Sequence, residues 1–302
     1  MKIAISGASG FVGTHLTAAL TRHGHRVVPM SRGDFARGLP HLAETIDGCE
    51  VVINLAGAPI NRRWSTSYKR TLVSSRIETT RMLVQAMSRL QHPPHSFIST
   101  SAIGAFNDAG LYSEEHAPNA TDFLGRLAVD WEAAARQAET LGIRTLIFRF
   151  ALVLGADGGL LKQLLPPFRL GLGGPIGDGR QAFSWVHIDD LVDAYLVALK
   201  LSSMQGVFHI AAPKPATNMA FTKTLGAALH RPTLFPLPPL LLRLVFGEAA
   251  DVMTGGQRVI SKRLPELGFQ FRYSELELAI DDLVHRPSRS PVQPSLANSD
   301  SQ

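Results

Sequence analysis

Three short stretches carry residue types whose spacing suits dinucleotide chemistry. The first is GASGFVG, where Gly7, Gly10 and Gly13 stand between a short apolar strand and an amphipathic helix. Glycines in that context let backbone N–H groups approach a pyrophosphate. Phe11 and Val12 open the helix, whose N-terminus adds partial positive charge. The second is PMSRGD, where the next strand ends at Ser31 and Arg32, the expected distance of about twenty residues past the turn. An acidic residue there suits the ribose hydroxyls of NAD, whereas arginine suits the 2′-phosphate of NADP through bidentate pairing. Asp34, two positions later, is a competing ribose ligand. NADP(H) is the expected cofactor and NAD(H) the less favoured one. The third stretch is VINLAG, where Leu55, Ala56 and Gly57 follow an apolar strand and let the chain pass close to adenine and ribose.

Each stretch falls where a strand ends, so the strands must place them. KIAISG, RVVPMS, EVVINLAG, HSFISTSA, RTLIFRFALVLG and GVFHIAAP read as strands. Helical patterns separate them: one from Phe11 to near Gly24, a long run from Ser65 to Leu90, and another from Asp122 to Thr140. Nearly continuous apolar strands alternating with helices predict a parallel sheet covered on both faces. The fold class is α/β, a doubly wound Rossmann sheet with a smaller C-terminal α/β subdomain on the substrate side. Residues 1–154 form the expected NADP-binding core. Residues 155–284 complete the sheet and build the subdomain, and 285–302, rich in Ser and Pro and without aromatics, are expected to be disordered.

The chain has 302 residues, 45% of them hydrophobic, enough for a large core. A single cysteine, Cys49, excludes an internal disulfide framework and fits a reducing compartment. No apolar run reaches the roughly 20 residues that span a bilayer, and the N-terminus lacks the apolar region of a signal peptide. A cytoplasmic protein with no membrane partner is expected, with a homodimer as its assembly. The net charge of +5 is spread along the chain without interleaved aromatics, so nucleic acid is not an expected partner. The 11 histidines show no metal-ligand spacing.

Four longer stretches narrow the reading: NLAGAPINRRW; SSRIETTRML; LPPFRLGLGGPIGDGRQ with WVHIDD; and GGQRVISKRLPELGF. With the glycine turn they resemble the extended short-chain dehydrogenase/reductase superfamily. More narrowly they resemble its atypical epimerase-family branch, which carries a small C-terminal domain of unknown function. The likeness runs from residue 1 to about residue 284. It implies a Rossmann domain with a substrate-side subdomain and NADP(H) as cofactor. It also makes Arg76 a cofactor contact and Val153 a neighbour of the nicotinamide.

In that superfamily a Ser or Thr after the fifth strand, a Tyr, and a Lys four residues later form the catalytic set. The Lys lowers the Tyr pKa so that the phenol shuttles a proton near neutrality. Ser101 fits the first position. The residues four beyond Tyr68, Tyr112, Tyr195 and Tyr273 are Leu72, His116, Leu199 and Glu277, so no Tyr–Lys pair exists. Asp122 and Arg126 hold the corresponding slots. Arg126 keeps its proton but can grip ribose hydroxyls, and Asp122 beside a cation stays ionised. With Asp130 they are also spaced as a helix-surface charge ladder, the favoured reading. Glu114 and Glu115 read as solvated loop charges, Asp189 and Asp190 as helix caps, and His187 as a core histidine. The glycine loop 171–179 reads as a substrate lid or a crossover.

Two functions follow. One is an NADP(H)-dependent epimerase- or reductase-like enzyme acting on a small molecule. The other is a catalytically lapsed NADP(H)-binding sensor or interaction protein.

Overall fold

The computed structural model describes residues 1–285. All six expected strands enter one parallel sheet. Its members are β1 (Lys2–Ser6), β2 (Arg26–Met30), β3 (Val51–Asn54), β4 (Ser96–Ala102) and the strands Arg144–Phe150 and Gly206–Ile210. Across the sheet the order is Gly206–Ile210, Arg144–Phe150, β4, β3, β1, β2. Alternate residues of each strand supply opposite cores. Ile3, Ile5, Ile53, Ile98 and Phe148 pack with Leu16 and Leu20 of the helix α1 (Phe11–Arg22) and with Leu191 and Tyr195 of the helix Ile188–Lys200. Ala4, Val52, Phe97 and Ile147 pack on the other face with Leu42, Leu83, Met87 and Ala135. Burial on both faces explains why the strands are apolar at successive positions.

The chain steps from β1 to β2 on one side, then returns to lay β3 on the other. Where the order reverses, the connections at the strands' carboxyl ends splay apart, and the crevice between β1 and β3 is where doubly wound sheets hold ligands.

Three sequence expectations are corrected. RTLIFRFALVLG is two strands: after Phe150 the chain leaves the main sheet, and Leu152–Gly155 pairs instead with Trp185–His187. The switch is a change of ladder partner, since Ala151 N donates to the Ile210 carbonyl and Leu152 N to the Ser184 carbonyl. The run after Ser65 is an α-helix to Val73, a π-helical turn Ser74–Glu78, and a second α-helix Thr79–Met87. His187, not Asp189 or Asp190, caps the helix Ile188–Lys200, its ring nitrogen accepting from Asp189 N at 3.1 Å. The last helix runs to His285. The remainder of the expected disordered tail lies outside the described residues.

Asp190 has a different task. Its buried carboxylate accepts from the backbone N–H of Arg272 at 2.8 Å and of Tyr273 at 3.1 Å, tying the C-terminal segment to the helix. Burial pushes its pKa up to about 6, against the pull of those two N–H groups. A carboxyl whose folded pKa exceeds its unfolded value contributes stability below the unfolded pKa and loses it as pH rises through the folded one. Asp190→Asn should therefore flatten urea midpoints between about pH 4 and pH 7, removing a dependence of about 3 kcal/mol. Parallel curves for the two proteins would show that this carboxyl ionises freely.

Candidate functional site

The glycine turn sits at the crevice. Gly7 adopts φ +76°, which L side chains disfavour, and a Cβ there would lie 2.9 Å from the Leu55 backbone. The turn after β1 thus touches the turn after β3, joining two of the stretches singled out from sequence. Gly13 is buried in α1, and a Cβ on it would lie 2.2 Å from the Gly7 carbonyl oxygen. Gly10 caps α1 in extended conformation without a capping side chain, leaving the first amides of Phe11, Val12 and Gly13 for a ligand.

Beneath the crevice lies a buried polar chain that sequence reasoning missed. The Asn54 side-chain oxygen accepts from Ser6 Oγ at 2.6 Å and from Ala56 N at 3.3 Å. Its amide donates to Thr80 Oγ1 at 2.8 Å. That hydroxyl also accepts from Trp131 Nε1 at 2.9 Å and donates to the Arg76 carbonyl at 2.6 Å. Every polar atom of the chain is engaged, so it sets the 55–57 turn rigidly. The available signal was an asparagine ending an otherwise apolar strand.

Arg76 rides on the π-helical turn, a distortion frequent at functional sites. Its guanidinium donates to the Ala58 carbonyl at 3.0 Å, lies 5.4 Å over the Trp131 ring and sits against Gly57. Among the described residues no carboxylate pairs with it. Burial pulls its pKa down to about 10, so it stays cationic at neutral pH. A desolvated cation beside an open turn suits an anionic or hydroxyl-rich ligand.

At the end of β2, Ser31 and Arg32 are exposed. Asp34 is already occupied: its carboxylate accepts from Ser31 N and Ser31 Oγ, each at 2.7 Å, and from His41 at 3.0 Å. These hydrogen bonds hold its pKa far below the usual carboxylate range. Asp34 cannot turn to a ribose without breaking the capping box, whereas the exposed Arg32 side chain has no ion pair among the described residues.

Phe11 and Val153 meet across a glycine shelf. Gly155 and Gly158 have no room for side chains because the Phe11 ring covers them, and Gly159 touches both Phe11 and the Val153 carbonyl. Val12, Leu55 and Val153 pack against the same core. The structure thus places Gly7, Gly10, Phe11, Val12, Gly13, Leu55, Ala56, Gly57, Arg76 and Val153 around the carboxyl ends of β1 and β3. Ser31 and Arg32 lie just past the end of β2, Ser31 capping and Arg32 opening the short helix Arg32–Ala36.

The expected catalytic groups are placed differently. Ser101 is 1% exposed and donates to Glu132 Oε1 at 2.8 Å. Glu132 is held in turn by Arg149, whose Nε and Nη2 reach its two oxygens at 2.7 and 2.8 Å. His209 borders this pair, 3.4 Å from Arg149 Nη1, and burial lowers its pKa to about 4, so it is neutral. Asp122 is the N-cap of the helix Phe123–Arg136, accepting from Gly125 N at 2.7 Å. Arg126 donates to the Thr121 carbonyl. The charge-ladder reading is therefore corrected: cap geometry at the helix start draws both side chains to the backbone. Glu114 bridges His209 N and Lys262 N at 2.9 and 3.0 Å, and Glu115 pairs with Lys262. Among the tyrosines, Tyr68 donates to the Pro59 carbonyl at 2.6 Å, and Tyr112 donates to Asn107. Tyr195 is fully buried, its phenol pKa raised by desolvation, and Tyr273 stacks on His187. Among the described residues no cluster of His, Cys, Asp or Glu suits a metal ion, and no helix is long and apolar enough to cross a membrane.

Known proteins are similar to this chain over nearly its whole length. Residues 3–211 match the NAD dependent epimerase/dehydratase family, and residues 237–283 match a domain of unknown function (DUF1731). The mouse epimerase family protein SDR39U1 is 39% identical over 94% of this chain and 100% of its own. An epimerase family protein of Staphylococcus saprophyticus, SSP1921, is 36% identical over 93% and 98%. The crystal structure of human SDR39U1 (isoform 2) with NADPH superposes with a TM-score of 0.88 at 35% identity, covering 95% of this chain and 100% of that one.

Proposed function

We propose that this chain, which belongs to the NAD dependent epimerase/dehydratase family, binds NADPH at the crevice between β1 and β3 and presents it for hydride exchange with a small molecule. The observation that carries the reading is the cradle in which Gly7, Gly13 and the Leu55–Gly57 turn close on one another, with uncapped amides at the start of α1 and a desolvated Arg76 against Gly57. Support comes also from the human relative, whose structure holds NADPH. The amides opening α1 would hold the pyrophosphate, Arg32 the 2′-phosphate, and the 55–57 turn with Arg76 the adenosine and ribose side. Bound NADPH supplies the hydride. No tyrosine–lysine pair moves the accompanying proton, and Ser101, Asp122 and Arg126 are each committed to other partners.

That commitment favours a second reading, an NADPH sensor without turnover. Loss of reduced-nicotinamide absorbance against a panel of carbonyl compounds separates the two. Oxidation that depends on the added compound marks an enzyme, and tight binding with no oxidation across the panel marks a sensor.

Cofactor choice gives a further expected outcome. NADPH should bind more tightly than NADH, and Arg32→Asp should narrow or reverse the ratio by about tenfold or more, the worth of one guanidinium–phosphate contact at about 1.5–3 kcal/mol. Calorimetry of both cofactors on both proteins reads this directly. An unchanged ratio would remove Arg32 from the site.

A further inference from the structure

On the surface of the C-terminal half, the segment Arg231–Leu237 runs alongside the loop 169–177. Arg231 Nε donates to the Arg169 carbonyl at 2.8 Å, Leu237 N to the Pro175 carbonyl at 2.8 Å, and Gly177 N to the Leu237 carbonyl at 3.0 Å. The glycine loop is therefore pinned by these bonds and is not a free lid. The helix Pro239–Phe246 follows and buries Leu242. It is anchored to the body where Arg63 donates to the Leu244 carbonyl at 2.8 Å and Lys69 pairs with Glu248. On these adjoining segments Leu170, Leu172, Leu234, Phe235, Leu240 and Leu244 are each between 61% and 79% exposed. Chains leave large contiguous apolar faces exposed chiefly where they meet a protein or a lipid surface.

Charge and backbone chemistry select between those occupants. Residues 159–177 and 228–247, which build the face, include Lys162, Arg169, His230, Arg231 and Arg243 but no aspartate or glutamate. Arg243 is neutralised by Asp251 at 3.0 Å, while Arg169 and Arg231 are exposed at the edge of the face. Laying the face on a second copy by a twofold axis would bring like charge toward like charge. Pro232, Pro236, Pro238 and Pro239 remove the amide donors that a partner strand would need. An anionic bilayer supplies both an apolar layer and the opposite charge, and docking on it requires no spanning helix. The sequence-based expectation of no membrane partner rested on span length and on the lack of a signal peptide, and neither bears on surface docking.

We propose that this face docks on an anionic lipid bilayer, its leucines and Phe235 entering the headgroup–acyl boundary while Arg169 and Arg231 engage lipid phosphates. Flotation of the full chain tests it with two sets of vesicles: phosphatidylcholine mixed with phosphatidylglycerol, and phosphatidylcholine alone. The chain should float with the mixed vesicles and much less with the neutral ones. The double variant Leu240→Asp, Leu244→Asp should abolish flotation while thermal stability and cofactor affinity stay unchanged. Arg169→Gln and Arg231→Gln should each lower the partition coefficient by about fivefold. Failure to float with the mixed vesicles would overturn the proposal. So would flotation indifferent to the double variant, or a dimer of the native chain that the double variant dissociates.

Discussion

Alanine in place of Gly13 is expected to weaken NADPH binding by about a hundredfold or more while the chain still folds. The added methyl would stand 2.2 Å from the Gly7 carbonyl oxygen and 2.7 Å from the backbone of Ala8, so the turn and the first turn of α1 must separate. Overpacking of this kind costs about 1–3 kcal/mol of stability, which a chain of this size can absorb. Binding is hit harder, because the amides proposed to hold the pyrophosphate move apart together. Losing two hydrogen bonds to a charged group, at about 1.5–3 kcal/mol each, lowers affinity by about a hundredfold or more. Titration calorimetry with a parallel thermal melt reads both quantities. Gly24→Ala is the matched control, since Gly24 also has a positive φ of 77° but nothing within 4 Å of its would-be Cβ. That variant should lose stability and keep its affinity. Undiminished NADPH binding by folded Gly13→Ala would move the cofactor site away from this turn.

Arg149→Met should be the most destabilising of the substitutions considered. It would leave the Glu132 carboxylate 5% exposed, with the Ser101 hydroxyl and a neutral His209 nearby but no cation. Breaking a buried pair in this way costs about 3–5 kcal/mol, a fall in melting temperature on the order of 10 °C. The double variant Glu132→Met, Arg149→Met should recover most of the loss, because it removes both charges from the interior. Ser101→Ala should cost only about 1 kcal/mol, one hydrogen bond's worth. If Arg149→Met melts within a degree or two of the native chain, the buried pair is not what holds β4, the strand Arg144–Phe150 and the helix Phe123–Arg136 together.

The sheet and the close backbone contacts at its carboxyl ends were legible from residue types alone. Continuous apolar runs read correctly as strands buried on two faces, because that alternation of environments leaves no polar face to maintain. Gly7, Gly10 and Gly13 were legible for a similar reason: a backbone that must pass within contact distance of another backbone excludes side chains, and the exclusion is written in residue type. Arg32 is proposed as a phosphate ligand because its position is counted along the chain from the same turn, and the structure leaves it exposed there. The family likeness, extending past residue 280, added Arg76 and Val153, whose types alone signal nothing.

What the polar residues do became visible from contacts between distant segments. Asp34 and Arg32 are two residues apart and looked like rivals for one ribose, yet His41 and Ser31 consume the carboxylate of one and leave the other free. Ser101 matched a catalytic position in type and place, but its hydroxyl turns to Glu132, a partner 31 residues away that no local spacing marks. Asp122 and Arg126 fit a ladder on paper and cap a helix end in space. Asn54, Thr80 and Trp131 went unnoticed although together they set the 55–57 turn. The physical reason is common to all of them. Apolar burial and glycine close approach are constraints on a residue's own type, repeated with a period that a chain displays along its length. A hydrogen bond or ion pair is a property of two groups, and which two meet is fixed only when the sheet order brings distant strands side by side.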